Sequence, residues 1–126
     1  MKKLFVVLTM LTLIGQTWAA SDVVDNGLRK RETMVAAVAI LLTVPPKCLL
    51  DNKRPSTAEF GLFMLSYGHA NEITGQDAFF ADVKIHMQKT DAEFTALSPS
   101  DKASFAEFIC GYASLLSTKV RNAVRR

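Results

Sequence analysis

Apolar residues recur at the three- and four-residue spacing of α-helices in four stretches of the chain. The stretches are residues 29–44, 56–68, 77–97 and 99–118, and no stretch has the strict alternation that is typical of a half-buried strand. The third stretch is an ordinary amphipathic helix, with charged residues off its apolar side. The pattern therefore predicts an all-α protein, a small irregular four-helix bundle.

Residues with special backbone preferences mark the ends of these helices. Pro45-Pro46 ends the first helix, because proline lacks a backbone donor and disfavours helical geometry in the preceding residue. Ser56 followed by Glu59 matches a capping box for the second helix. Ser98 before Pro99 predicts the start of the last helix. The second helix has two candidate stops, at the glycines of positions 68 and 75.

The last predicted helix has few charged groups to expose to solvent, since Glu107 is the single charged residue between positions 103 and 118. One side carries large apolar residues and the opposite side carries small ones. A side built of small residues allows a neighbouring backbone to approach closely. We therefore expect this helix to be covered on two sides and the rest of the fold to be organised around it.

The first two helices have more apolar surface than one small bundle needs. Residues 34–42 are apolar on every side, and residues 60–67 are nearly so. A helix that is apolar all round is buried or leaves part of its surface for a partner. The predicted partner surface consists of Met34, Val38, Leu41, Leu62 and Leu65. One expected way to cover it is a homodimer formed about a two-fold axis.

The start of the first helix has two interpretations. Arg29, Lys30 and Arg31 would place cations in its first turn, where they oppose the helix dipole. The helix could instead begin earlier, near the aspartates at positions 22 and 25, with Gly27 as a weak point inside it. Otherwise residues 20–26 form a polar lead-in.

The N-terminal residues have the composition of a secretory signal peptide. Lys2 and Lys3 precede an apolar run at residues 4–14 and a short polar exit, with cleavage predicted after Ala19. The apolar run is too short for a permanent span, so no stable membrane anchor is expected. Residues 20–126 would form a single helical domain with a basic, frayed tail from Arg121. The predicted location is the periplasm or the outside of the cell.

The chain has two cysteines, and in an exported protein two cysteines predict one disulfide. A bond between Cys48 and Cys110 would close a large loop and pin the loop after the first helix to the last helix. The ring-closure model values such a bond at roughly 4 kcal/mol. For a small domain this is a large share of the net stability.

Charge excludes nucleic acid as a partner. The formal net charge of the full sequence is +3, but no basic stripe runs through the middle of the chain. Residues 57–110 contain eight acidic and three basic residues, whereas residues 111–126 contain four basic residues and no acidic one. A partner with an uneven charge distribution is compatible with this segregation.

No arrangement of residues predicts catalysis, a metal site or a cofactor. Asp82 and His86 have helical i, i+4 spacing, but further ligands are missing apart from the distant His69. The serines lack a nucleophile-elbow context and both cysteines are expected in the disulfide. The phenylalanines and methionines could line a cavity, although a packed core is the simpler interpretation.

These observations predict a binding protein without enzymatic activity. An inhibitor or immunity-type protein that blocks a toxin or a hydrolase fits the size, the disulfide and the missing catalytic residues. One alternative is a periplasmic stress chaperone that holds unfolded clients on exposed apolar surface. Another is a carrier of a small apolar ligand.

Overall fold

The computed structural model describes residues 21–125, and side chains from residue 23 onward. Within this range six α-helices and no strand are present, which confirms the predicted all-α class. The helices are α1 (Ser21–Leu28), α2 (Arg31–Thr43), α3 (Thr57–Ser66), α4 (Ala70–Thr74), α5 (Gln76–Thr95) and α6 (Pro99–Arg125). The predicted signal peptide and its cleavage after Ala19 lie outside the described residues.

The first predicted helix is two helices separated by a short break. Of the two interpretations of its start, the earlier beginning near Asp22 agrees with the structure and the polar lead-in at residues 20–26 does not, because α1 begins at Ser21 and includes Gly27. The chain then leaves helical geometry at Lys30, whose φ of −83° and ψ of 136° are extended, and α2 starts at Arg31. Val44 is also extended, before the two prolines, which confirms the predicted end of this helix.

The centre of the core is α2 rather than the last helix. Six of its residues are buried, because α1, α5 and α6 all pack against it. The surplus apolar surface of this helix is therefore covered within the chain. The most completely buried large side chains are Leu28, Met34, Val38, Leu41, Phe63, Phe79, Val83 and Leu116.

Helix α6 is covered on two sides only in its second half, so the sequence-based expectation for this helix was partly wrong. Its buried residues are Ala113, Leu116, Ser117 and Val120, and they pack against α3 and α2. The first half extends beyond the core, and its apolar side chains are half-exposed. The helix continues through Arg125, and fraying of the tail from Arg121 stays a prediction.

Both ends of α3 follow the sequence prediction. Ser56 Oγ accepts a hydrogen bond from the backbone N–H of Glu59 at 3.2 Å, and the Glu59 carboxylate accepts one from the backbone N–H of Ser56 at 2.9 Å. At the other end Gly68 has a φ of 86°, and the N–H groups of Gly68 and His69 donate to the carbonyls of Leu65 and Met64. This pair of bonds is a Schellman motif, which requires a left-handed residue and so favours glycine.

A charged hydrogen-bond cluster fastens α1 to the rest of the bundle. Oδ1 of Asp25 accepts hydrogen bonds from the Tyr67 hydroxyl at 2.9 Å and from Lys119 Nζ at 2.7 Å. Burial raises the pKa of Asp25, but these two bonds and the positive charge of Lys119 together outweigh that effect and lower the pKa below 3.8. The carboxylate thus links helix α1 to the end of α3 and to α6.

Two acidic neighbours offset the unfavourable positive charge of Arg31 at the start of α2. Its guanidinium donates to Glu72 at 2.9 Å and contacts Asp82 at 2.7 Å, and these two bonds raise its pKa. It also lies 5.7 Å from the ring centroid of Phe79.

Between residues 21 and 125, no helix combines the length and the apolar character that a bilayer crossing needs.

Candidate functional site

An open cleft lies between the second half of α5 and the first half of α6, and its lining is mostly apolar. The space between the two helices has a volume of about 330 Å³. One wall carries Met87 and Phe94 from α5, and the other carries Phe105 and Ile109 from α6. The C-terminal end of α2 and Cys48 form the floor. We call this space the apolar cleft.

The apolar cleft exists because the apolar sides of α5 and α6 continue at this end of the bundle without another helix to cover them. From residue 84 to residue 112 no side chain is buried, although the helical spacing of apolar residues continues. The apolar side chains therefore face each other across a gap that solvent reaches. Phe94 and Phe105 lie near the turn that joins the helices, with ring centroids 5.9 Å apart.

The predicted disulfide is present at the base of the apolar cleft. Cys48 and Cys110 are bonded, with Cα atoms 4.9 Å apart and a sequence separation of 62. Cys48 belongs to a short 3-10 turn, Pro46–Cys48, that follows α2. The bond therefore holds the floor of the cleft against the α6 wall at a fixed point.

Further contacts fix the floor independently of the disulfide. Arg54 donates from Nη1 to the carbonyl oxygen of Leu41 at 2.7 Å and from Nη2 to that of Val44 at 3.0 Å. These carbonyls at the end of α2 have no further turn of helix to pair with, so the guanidinium caps them. In addition, the Leu50 N–H donates to Ser117 Oγ at 3.0 Å.

Few polar groups reach the apolar cleft, and the surroundings of one of them, His86, favour its uncharged form. His86 is half-buried on the α5 wall, and burial, together with the nearby positive charge of Lys89, lowers its pKa below 6.5 despite the opposing effect of Glu93. Asp91 is the carboxylate among the lining residues, and no lysine or arginine lines the cleft. Such a surface can bind apolar groups, and its polar groups can orient them.

The structure separates the residues that were candidates for a metal site. Asp82 pairs with Arg31 rather than with His86. His69 is buried, and its Nε2 lies 2.6 Å from the carbonyl oxygen of Leu28, so it joins the start of α4 to the end of α1. Among the described residues, no three His, Cys, Asp or Glu side chains are grouped so that they could hold a metal ion.

The predicted partner surface is divided between the core and the exterior. Met34, Val38 and Leu41 have no exposed surface, so their assignment to a partner surface was wrong. The reason is that α2 is enclosed by three other helices of the same chain. Leu62 and Leu65 are exposed by 44% and 52%, and they remain candidates for contact with a partner.

Sequence reasoning missed the apolar cleft because its lining residues have the pattern of a core. Met87, Phe94, Phe105 and Ile109 lie on the predicted apolar sides of their helices, and the simpler interpretation was a packed core. The available signal was that two apolar sides continue for several turns while the sequence offers no further helix to cover them.

Comparison with protein-family models, with curated proteins and with solved structures finds no match for this chain.

Proposed function

We propose that this chain is an exported, non-catalytic protein-binding module of the inhibitor or immunity type, and that a partner docks in the apolar cleft. The observation that carries the proposal is the half-open, apolar space of about 330 Å³ between α5 and α6. Protein interfaces draw most of their binding energy from a few large side chains that fill such pockets. A groove between two helices also suits a helical segment of a partner.

The lining chemistry supports binding over catalysis. The hydroxyl of Thr43 donates to the carbonyl of Ala39 in its own helix at 2.8 Å, so it is already satisfied. His86 and Asp91 are the titratable groups of the lining. A general base or nucleophile needs a partner that activates it, and no serine and no free cysteine lies among the lining residues beside these two side chains.

The disulfide is compatible with an exported protein and supports a preformed docking surface. A covalent bond at the base of the cleft keeps the floor and one wall in register before a partner arrives. Preorganisation lowers the entropy that binding must overcome, which favours the tight complexes that inhibitors form. The periplasm, where disulfides persist, is the expected compartment.

Site-specific photocrosslinking tests the proposal in cells that make the protein naturally. A photoreactive phenylalanine analogue replaces Ala106, which is exposed and lines the cleft, and the matched control carries it at Ala92, which is exposed on α5 outside the lining. We expect one discrete crosslinked product from position 106 and none from position 92. The crosslinked partner, once purified, should bind this protein in a defined stoichiometric ratio, and the partner's own activity should be lost in the complex. Absence of a product at position 106, or equal products at both positions, would contradict cleft docking.

A second candidate function is the transport of a small apolar molecule, and the cleft volume is the observation that favours it. About 330 Å³ lies at the small end of the range for ligand pockets, roughly 300–1,000 Å³. Native mass spectrometry of protein purified without detergent tests this function. A discrete added mass that disappears when Ala106 is changed to Trp would support the transport function. Detection of the bare protein mass alone would contradict it.

A further inference from the structure

We propose that Gly111 and the Cys48–Cys110 disulfide form a redox-controlled hinge in α6. In the oxidised protein the disulfide holds the first half of α6 in place as a wall of the apolar cleft. In the reduced protein this half turns about Gly111, and the cleft loses its fixed shape. The inference rests on the proposed function, because it names how the same docking site is regulated.

The anchors of α6 are concentrated in its second half. Its buried residues are Ala113, Leu116, Ser117 and Val120. Polar contacts with other parts of the chain are made there by Ser117, Lys119 and Arg121. From residue 99 to residue 109 no side chain is buried, and this part of the helix is about 16 Å long. We call residues 99–109 the overhanging segment.

The overhanging segment is joined to α5 at its far end. The ring centroids of Phe94 and Phe105 lie 5.9 Å apart, and Lys102 Nζ lies 5.9 Å from the centroid of the Phe94 ring. These contacts do not hold the segment against the core, because α5 itself has no buried side chain after Val83. The two walls of the cleft can therefore move together unless the base of the segment is fixed.

Gly111 lies between the overhanging segment and the packed half of α6. Ile109 before it, and Met87 on the facing wall, are partly buried against the core, whereas burial is complete at Ala113. A β-carbon built on Gly111 would meet no neighbouring helix or loop within 4 Å, so packing does not require glycine here. Glycine inside a helix lowers helix stability and gives the backbone more freedom than alanine does. Gly111 is therefore the point at which α6 bends most easily.

The disulfide attaches beside this glycine, on the side of the overhanging segment. Cys110 directly precedes Gly111, and its partner Cys48 belongs to the turn at the cleft floor. Hydrogen bonds of Arg54 to the end of α2, and of the same loop to Ser117, hold that floor to the packed part of the molecule. The disulfide thus fastens the weakly packed side of the glycine to a fixed part. Without the bond the helices and the core persist, but the angle between the two halves of α6 is no longer fixed.

Thiol–disulfide exchange sets the state of the hinge. When the bond forms, the thiols of Cys48 and Cys110 lose two electrons and two protons to a disulfide-bearing oxidant, whose own S–S bond breaks to give two thiols. A dithiol reductant reverses the step. The bond borders space that solvent reaches, because Cys48 lines the cleft and Cys110 is half-buried. A reduced chain must order the overhanging segment when a partner docks, and this cost weakens binding until the bond forms in an oxidising compartment.

Distances between spin labels test the hinge directly. A ketone-bearing phenylalanine analogue accepts such a label without consuming cysteine, and it is placed at Lys47 together with Ser104 or with Asn122, three exposed positions. Ser104 lies about 10 Å along the helix from Gly111, so a bend of about 20° shifts it by roughly 4 Å. Reduction with a phosphine should therefore broaden the 47–104 distance distribution by that amount and leave the 47–122 distribution unchanged.

Three variants separate the hinge from other effects of the disulfide. Gly111→Ala stiffens α6 and should restore a narrow 47–104 distribution in the reduced protein. Gly61→Ala is the matched control, because Gly61 is helical and its β-position is equally open, and it should leave the broadening unchanged. Leu116→Ala weakens the core with the disulfide intact and should keep both distributions narrow. Circular dichroism verifies that each protein is folded.

The photoreactive analogue at position 106 measures whether the hinge controls docking. With Cys48 and Cys110 both changed to alanine, the yield of the crosslinked product should fall about tenfold, because the segment must be ordered on binding. Adding Gly111→Ala to this variant should recover most of the yield, and adding Gly61→Ala should not.

The outcomes separate the hinge from the proposed function. Identical 47–104 distributions in the oxidised and reduced proteins, or equal broadening of both label pairs, would overturn the hinge. Failure of Gly111→Ala to narrow the distribution, or an equal effect of Gly61→Ala, would remove Gly111 from it. Equal crosslinking with and without the disulfide would overturn the control of docking and leave the cleft as a docking site. No product from any of these proteins would contradict cleft docking, while the label distances would still decide whether the hinge exists.

Discussion

Removal of the disulfide gives the sharpest test of how this small fold is stabilised. The perturbation is the double change of Cys48 and Cys110 to alanine, which leaves no unpaired thiol. The bond joins residues 62 positions apart, and the ring-closure model assigns about 4 kcal/mol to a loop of that length at 25 °C. Domains of this size have a net stability of about 5–15 kcal/mol. The double variant should therefore lose a large fraction of its free energy of unfolding.

The folded structure should survive the change almost unaltered. The turn that contains Cys48 stays attached through the two hydrogen bonds of Arg54 and the bond between Leu50 and Ser117. The effect then arises in the unfolded state, which gains freedom when the covalent loop is opened. A backbone spectrum close to that of the wild type, together with a much lower stability, is the expected combination.

Urea unfolding followed by circular dichroism provides the assay. We expect the double variant, and the wild type reduced with a phosphine, to lose about 4 kcal/mol. At about 4–8 °C per kcal/mol, the melting temperature should fall by well over ten degrees. The reduced wild type controls for the alanine substitutions. A loss below about 1 kcal/mol in both samples, or two free thiols titrated in the native protein, would refute the reasoning.

Four further changes test individual contacts and surfaces. Arg54→Met leaves the carbonyls of Leu41 and Val44 without their donor and should cost about 1–3 kcal/mol, and an unchanged urea midpoint would contradict the capping role. Asp25→Asn should cost about 1 kcal/mol at pH 7. Because the Asp25 pKa is lowered in the fold, this difference from the wild type is present above pH 3.8 and should vanish as the pH falls through the folded pKa. The lowered pKa of His86 means that the wild type should lose stability as the pH falls below 6.5, and His86→Gln should lose less. Parallel pH profiles for the wild type and His86→Gln would contradict the burial of this imidazole. The double variant Leu62→Lys with Leu65→Lys should keep its free energy of unfolding within about 0.5 kcal/mol of the wild type. If the predicted homodimer forms through this face of α3, sedimentation equilibrium should give a dimer for the wild type and a monomer for the double variant.

Helix ends with a local cause could be predicted from the sequence. The capping box at Ser56, the prolines after Val44 and the left-handed Gly68 each act through backbone groups within a few residues. Their effect therefore survives any tertiary arrangement. The short helix α4 was missed, because five residues carry too little periodicity to be recognised.

Features that depend on which helix covers which could not be predicted in the same way. Residues 34–42 have an apolar pattern that is compatible with a partner surface and with a core, and only the packing of three neighbouring helices decides for the core. The apolar cleft presents the reverse case. The apolar sides of α5 and α6 continue past the last buried residues, and the gap between them depends on packing angles that helical spacing does not encode.

The absence of buried side chains from residue 84 to residue 112 has a consequence for amide hydrogen exchange. Local opening is cheapest where few apolar contacts are lost, so the amides of this helical pair should exchange long before those of α2. The disulfide at Cys110 should set one limit of the fast-exchanging region. A partner that fills the apolar cleft would slow exchange on both walls at once. Exchange protection across residues 84–109 would therefore report occupation of the cleft before the occupant itself is identified.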